Sequence, residues 1–364
     1  MAVRPLAEAD LPRVVELYWK YMRRRDGDPP AALHHTFREL YFTNPFVEST
    51  FPPLVYEGKD GTIVGFLGTI VRKMMLAGQP IRVAFGGNLV VHPDSRSNLA
   101  APRLLGTFMA GSQDLSLTDS ANDLSRKLIE RLGFRAIPAM NVHYVRPLKP
   151  SQYGVYALSR ATGPALSTGI KILSKPFCLL ADSLAARVSF SPFHQNGSTL
   201  RGSQLTEEAL MQCMTQFRGG YSLWPEYNVD SLKWLLGFMS DMPARGTLRK
   251  ILVRDDKDNI VGWYIYYVRP GAIGEVVQVG GDPKLMKKIL DHFFHDAWQQ
   301  GVVGVHGVVT MQRMADYSDK NCLFTCRGGW ALAHSRRPEL IEALERGEGF
   351  LSRLDGEWCL DPGE

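Results

Sequence analysis

Gly86 to Gly111, GGNLVVHPDSRSNLAAPRLLGTFMAG, is the stretch whose reading decides the fold. Gly86 to Val91 reads as a short apolar strand, His92-Pro93-Asp94 breaks it, and from about Ser97 the chain rises into a helix. Leu99, Leu104, Leu105 and Phe108 are its candidate buried positions. A strand feeding straight into a helix N-terminus gathers unpaired backbone N–H groups at one point, with the positive end of the helix dipole behind them. Such a point suits a diphosphate, and Arg96 adds a charge-assisted donor beside it.

Val91-His92-Pro93-Asp94-Ser95-Arg96-Ser97-Asn98-Leu99-Ala100-Ala101 resembles the GNAT acyltransferase signature V-x-P-x-x-R/Q-x-x-G-x-G/A. Val91, Pro93, Arg96 and Ala101 match, and Leu99 stands where glycine is usual. Asn122, Ser125, Leu128, Glu130, Leu132, Gly133 and Phe134 likewise resemble the family's next block, N-x-x-small-x-x-L-Y-E-x-L-G-F. Ile129 occupies the tyrosine position.

The resemblance implies an α/β (α+β) chain of two GNAT-like domains, each a mixed, mostly antiparallel sheet flanked by helices. It implies acetyl-CoA or another acyl-CoA as co-substrate. Backbone groups of Leu89, Val90 and Val91 are then the expected partners of the pantetheine arm, because a bulge in the fourth strand of that fold splays it from the fifth. Arg96, Ser97, Asn98, Leu99, Ala100 and Ala101 would hold the diphosphate, with Asn122 and Ser125 completing the acyl-CoA site.

Acyl transfer to an amine needs a neutral nucleophile, a polarised thioester carbonyl and a proton for the departing sulfur. Where the family often has a glutamate, three residues before the motif valine, this chain has Asn88, which can hold a water or an acceptor by hydrogen bonds. Asp119 and Asp114 are nearby carboxylates by topology, and Asp119 reads equally as the N-cap of the helix that follows. Tyr144 is a candidate acid in place of the missing tyrosine. The expected reaction is N-acyl transfer, most simply of acetyl, to an amine of a small molecule or peptide. Two rivals stand beside it: a non-catalytic acyl-CoA-binding or scaffold protein of the same fold, and an aminoacyl-tRNA-dependent transferase.

The 364 residues suit two domains, and 45% hydrophobic with 22% charged residues is ordinary for a globular protein. A net charge of +5 suits an anionic cofactor but, with no Lys/Arg run interleaved with aromatics, does not point to nucleic acid. The five cysteines follow no disulfide or zinc spacing, and no metal is expected. An acidic amphipathic start and the lack of a stretch of about 20 apolar residues lead us to expect a cytoplasmic protein with no membrane span. Oligomeric state is not legible.

In chain order, residues 1 to 150 form the expected acyl-CoA domain. It opens with Val3-Arg4-Pro5 and a helix to Arg24 carrying Val14, Val15, Leu17, Tyr18 and Met22 as its core stripe. Arg23-Arg24-Arg25 reads as a solvated helix end. Asp60-Gly61 turns a hairpin, and Ala136 to Leu148 would complete the sheet. Residues 151 to 200 form a helical linker, basic and without an acid before Asp182, which reads as a packing helix or as a face for peripheral contact with an anionic bilayer. Residues 201 to 364 echo the first part as a degenerate copy, clearest where Lys257-Asp258 and Ile260-Val261-Gly262 parallel Lys59-Asp60 and Ile63-Val64-Gly65. Asp282 stands at the matching helix start and would repel a diphosphate.

Overall fold

The computed structural model describes residues 2–361 apart from 162, 163, 196, 327 and 328, with backbone alone at 96–98, 161 and 164–172. The strands are β1 (Ala2–Pro5), β2 (Leu54–Glu57), β3 (Ile63–Leu76), β4 (Gln79–Val91), β5 (Leu115–Ala121), β6 (Arg135–Ala136), β7 (His143–Pro147) and β8 (Arg201–Gln204). They continue as β9 (Leu223–Pro225), β10 (Thr247–Arg254), β11 (Ile260–Val268), β12 (Ile273–Gly281), β13 (Gly304–Val308), β14 (Leu323–Thr325) and β15 (Trp330–His334). By contacts the chain divides into unit 1, Met1–Asn141 with Gly220–Phe238 and Gly328–Glu364, and unit 2, Val142–Gly219 with Met239–Arg327.

Unit 1 holds a sheet of order β1-β2-β3-β4-β5-β15-β6, with β9 on β3. Its pairs are antiparallel except β4 with β5. Two turns set the register: the three-residue loop Lys59-Asp60-Gly61, with Gly61 at φ +81, closes β2 on β3, and Ala77 with Gly78 (φ +48 and +86) closes β3 on β4 with the positive angles that a two-residue hairpin turn requires. The helices are α1 (Leu11–Leu17), α2 (Ala31–Arg38), α3 (Ala100–Met109) and α4 (Asp123–Arg131). Leu104, Leu105 and Phe108 of α3 pack on Tyr56, Ala84 and Leu332 in the core, as their spacing predicts. Val14, Val15, Leu17 and Tyr18 are buried, but Met22 is exposed where the helix loosens into a π-turn over Tyr18–Met22.

Unit 2 holds a sheet of order β14-β7-β13-β12-β11-β10-β8, again antiparallel except one pair, β12 with β13. α5 (Pro150–Ala161), α6 (Pro164–Arg187) and α7 (Glu207–Gln216) belong to it, α8 (Val229–Ser240) lies mainly in unit 1, and α9 (Met286–Gln299) packs on β11, β12 and β13. Among the described residues no helix is long and apolar enough to cross a membrane.

Three elements begin, are capped or pair otherwise than the sequence reading expects. The helix expected from Ser97 begins at Ala100, after a 3-10 turn over Pro93–Asn98, because Leu99 takes the left-handed conformation (φ +57) that a helix cannot continue. Leu99 is consequently 59% exposed rather than buried. The helix cap expected of Asp119 falls to Asn122, whose side-chain oxygen accepts the Ser125 N–H at 2.9 Å, since β5 runs on through Ala121. His143–Pro147 pairs with β13 and β14 in unit 2 rather than closing the sheet of unit 1; that place is taken by β15. Alternation of apolar and polar residues identifies a strand but carries no information about which edge it joins.

The left-handed angle at an exposed leucine is a local strain that glycine removes. Leu99→Gly is expected to raise the free energy of unfolding by about 0.5 to 1 kcal/mol, read as a higher denaturant midpoint at unchanged slope. A lower midpoint would show that the exposed leucine side chain contributes more than its backbone costs.

Candidate functional site

β4 and β5 pair only at Val83–Leu115, Ala84–Ser116 and Phe85–Leu117. Beyond Phe85 the two strands part. Against β3 the register slips between Phe66–Val90 and Gly68–Gly87, placing one extra residue in β4, and Asn88 there is left-handed (φ +53). A bulge of this kind bends its strand and increases the local twist. The opening is a cleft of about 140 Å³ lined by Gly86, Gly87, Asn88 and Leu89 on one side and by Leu117, Thr118, Ser120 and Ala121 on the other. Asn122, Ser125 and Ile129 of the α4 region also line it.

Gly68 and Gly87 face each other across β3 and β4, and each admits a neighbour that a methyl group would strike. At Gly68 that neighbour is the Tyr41 hydroxyl, which accepts a hydrogen bond from Asn88 Nδ2 at 2.9 Å. At Gly87 it is the carboxyl of Glu357. Thr118 Oγ1 donates to Glu357 Oε1 at 3.2 Å and Ser120 Oγ donates to the same oxygen, while Oε2 has no partner among the described residues.

Three carboxylates seat the C-terminal segment that brings Glu357 here. Asp355 accepts from the Tyr227 hydroxyl (2.7 Å) and from Ser352 N–H (2.6 Å), and its carbonyl accepts from Arg72 Nε at 3.0 Å. Asp119 accepts the backbone N–H of Glu357 at 3.1 Å, and its carboxyl fills the space beside Gly356. Asp361 pairs with Arg23 and accepts from the Tyr18 hydroxyl at 2.9 Å. Arg23 therefore belongs to this anchor rather than to a solvated helix end.

Burial is the main force on both carboxyls of the cleft. It lifts Asp119 to about 6 against the pull of the backbone N–H groups of Glu357 and Trp358. It lifts Glu357 further, to about 8, with the charge of Asp119 adding to the rise and the Ser120 and Thr118 hydroxyls opposing it. A carboxyl poised near neutrality can both take and return a proton.

Of the residues expected from sequence, Asn88, Leu89, Asn122 and Ser125 line the cleft, and Asp119 sits behind it as a support for Glu357. Val90 and Val91 are buried on β4, while Ala100 (buried) and Ala101 (half-buried) open α3. The Arg96, Ser97 and Asn98 side chains lie outside the described residues. Tyr144 lies in the core of unit 2 against Tyr317, ring centroids 4.5 Å apart, and does not line the cleft. Glu357 was not anticipated. Its tail, Asp355-Gly356-Glu357-Trp358, carries no motif, and the one available signal was a run of acidic and small residues after the last apolar stretch. Among the described residues no group of three or more His, Cys, Asp or Glu could hold a metal ion.

Because Glu357 binds its proton more tightly when folded than the ordinary 4.5, folding stability attributable to it falls as pH rises from about 4.5 towards about 8. Glu357→Gln is expected to flatten that decline in denaturant midpoints measured between about pH 5 and pH 8. An unchanged slope would mean that the carboxyl is ionised throughout.

No protein-family model and no curated protein matches the chain by sequence. Solved structures do match in three dimensions. A conserved protein of unknown function from Enterococcus faecalis V583, a probable N-acyltransferase, superposes with TM-score 0.59 over 92% of this chain and 72% of that one, at 12% identity. A GCN5-related N-acetyltransferase from Anabaena variabilis ATCC 29413 gives 0.59 over 93% and 73%, at 10% identity. Saccharomyces cerevisiae N-myristoyltransferase with bound myristoyl-CoA gives 0.55 over 92% and 78%, at 12% identity. With strands parted at a bulge and a helix entered through a left-handed turn, the chain shares the fold of these GCN5-related N-acetyltransferase and N-myristoyltransferase structures, the GNAT-like fold.

Proposed function

We propose that the protein is an acyl-CoA-dependent N-acyltransferase that carries an acyl group from CoA to an amine of a small molecule or peptide by direct attack. The observation that carries this reading is a buried carboxyl with one unpartnered oxygen, set on Gly87 at the mouth of two parted strands. Past Phe85, β4 has no strand partner on its β5 side among the described residues, so backbone groups between Gly86 and Val91 would bind an extended pantetheine amide and polarise the thioester oxygen. The first turn of α3, beside the turn that carries Arg96, offers its N–H groups to a diphosphate.

In the proposed step the amine nitrogen bonds to the thioester carbon, the carbon–sulfur bond breaks, and the amine's proton passes to Glu357 Oε2, from which the departing thiolate can recover it. Asn88 and Tyr41 position the acceptor rather than take its proton, since neither amide nor buried phenol is a base at neutral pH; burial holds the Tyr41 hydroxyl well above its ordinary range. We also propose that the two units descend from tandem copies, the second no longer binding CoA: Asp282, at the matching helix entry, accepts its own loop's Lys284 N–H at 2.8 Å.

The test is release of free thiol from acetyl-CoA across an amine library, with calorimetry for acyl-CoA binding. Glu357→Gln is expected to lower kcat by about 100-fold or more while leaving acyl-CoA affinity within about twofold, and the parent's kcat should rise with pH towards about 8. A variant as fast as the parent would remove Glu357 from the chemistry. Tight acyl-CoA binding with no thiol release for any amine would favour the scaffold reading.

A further inference from the structure

The helical hairpin of unit 2 carries a surface that acyl transfer does not use. Along α6 the residues at 178, 182 and 186 are buried at 8%, 3% and 6% exposure, a spacing of four that marks the inner face, towards α5. Leu173, Phe177, Leu180 and Leu184 follow at steps of four, three and four, and are 76%, 75%, 65% and 55% exposed. At about 100° per residue these four fall within one stripe diametrically opposite the buried one. Phe190, 91% exposed, continues the apolar surface past the end of the helix. Four large apolar side chains in one open stripe are unusual for a surface that meets only water.

The exposed charge of the hairpin is of one sign. Between Lys149 and Arg187 the sequence holds five basic residues, Lys149, Arg160, Lys171, Lys175 and Arg187, and one carboxylate, Asp182. Asp182 is withdrawn from the surface: it accepts Ser151 N–H at 2.7 Å and Gln152 N–H at 3.1 Å, capping the start of α5. Arg160, Lys175 and Arg187 are exposed, so the hairpin presents apolar bulk and positive charge with no exposed acid.

We propose that the α5–α6 hairpin docks the protein on an anionic lipid bilayer, with α6 lying in the plane of the interface and its stripe pressed into the boundary between headgroups and acyl chains. An apolar stripe and exposed cations on the same hairpin are the two components such binding needs, each supplying part of the affinity. A second copy of the chain fits less well, because a two-fold interface would set this patch against itself and bring cations against cations. The helix lies on the bilayer rather than through it, since its sequence carries Lys171, Lys175, Asp182 and Arg187.

Flotation of the full chain with vesicles tests the proposal. Vesicles of phosphatidylcholine containing about one phosphatidylglycerol in three are expected to carry the protein upward at about 0.1 M salt, and neutral phosphatidylcholine vesicles are not. Raising the salt to about 0.5 M should reduce the bound fraction. Replacing the stripe (Leu173→Gln, Phe177→Gln, Leu180→Gln and Leu184→Gln together) or reversing the cation that borders it (Arg187→Glu) should each weaken binding at least about tenfold. The exposed positions keep the fold, which an unchanged circular dichroism spectrum and unfolding midpoint will verify. No flotation with anionic vesicles, or equal flotation with neutral ones, overturns the proposal. A parent dimer that the stripe variant converts to monomer, with no vesicle binding, assigns the surface to a second copy instead.

Discussion

One extra residue in β4 is the constraint on which the rest of unit 1 depends. A ladder that stayed paired from Val83 with Leu115 as far as Leu89 with Ala121 would close the sheet and leave no opening. The bulge at Asn88, with its left-handed backbone, turns the strand away after three parallel pairs. The opening has a cost, because backbone groups there forfeit strand partners, and a buried N–H or C=O left unpaired costs about 1–3 kcal/mol. Structure elsewhere must hold the strands apart, and the antiparallel β3–β4 hairpin, paired from Leu76 with Gln79 to Gly65 with Val91, supplies that support.

The second constraint follows from the glycine pair on that hairpin. Gly68 and Gly87 leave a depression in the sheet that Tyr41 and Glu357 occupy from the same face. Glu357 cannot remain there without help, since a carboxyl out of water loses its hydration. Two hydroxyls receive it on one oxygen, and Asp355, Asp119 and Asp361 tie the surrounding segment to the sheet and to Tyr18 and Arg23. Asp119 shows how one carboxylate serves another: by accepting the Glu357 backbone N–H it fixes the tail, and by its charge it raises the proton affinity of the Glu357 side chain.

Much of this was legible along the chain. Gly86-Gly87 within an apolar strand announces a bulge or a close approach, and both occur there. Leu104, Leu105 and Phe108 declare their buried face by spacing alone, and Asp60-Gly61 declares its turn. Leu99 is instructive in another way: its motif position is one at which the related pattern has glycine, and the left-handed angle gives the reason. The sequence reading took the leucine as helical because side-chain type reports preference, whereas the conformation was imposed by the junction of a 3-10 turn with α3.

What local sequence determined, then, is the set of elements: strand periods, turn residues, helix stripes and the strand–turn–helix entry at Arg96, all of which depend on neighbours within about four residues. What only the tertiary structure decided is which distant pieces share a sheet or a cleft. β15 enters the sheet of unit 1 between β5 and β6, and β7 joins the sheet of unit 2, although an alternating strand looks the same whichever neighbour receives it. Glu357 reaches Asp119 across 238 residues of chain. No spacing rule spans such a distance, because the proximity is set by packing and buried hydrogen bonds rather than by the geometry of a single helix or strand.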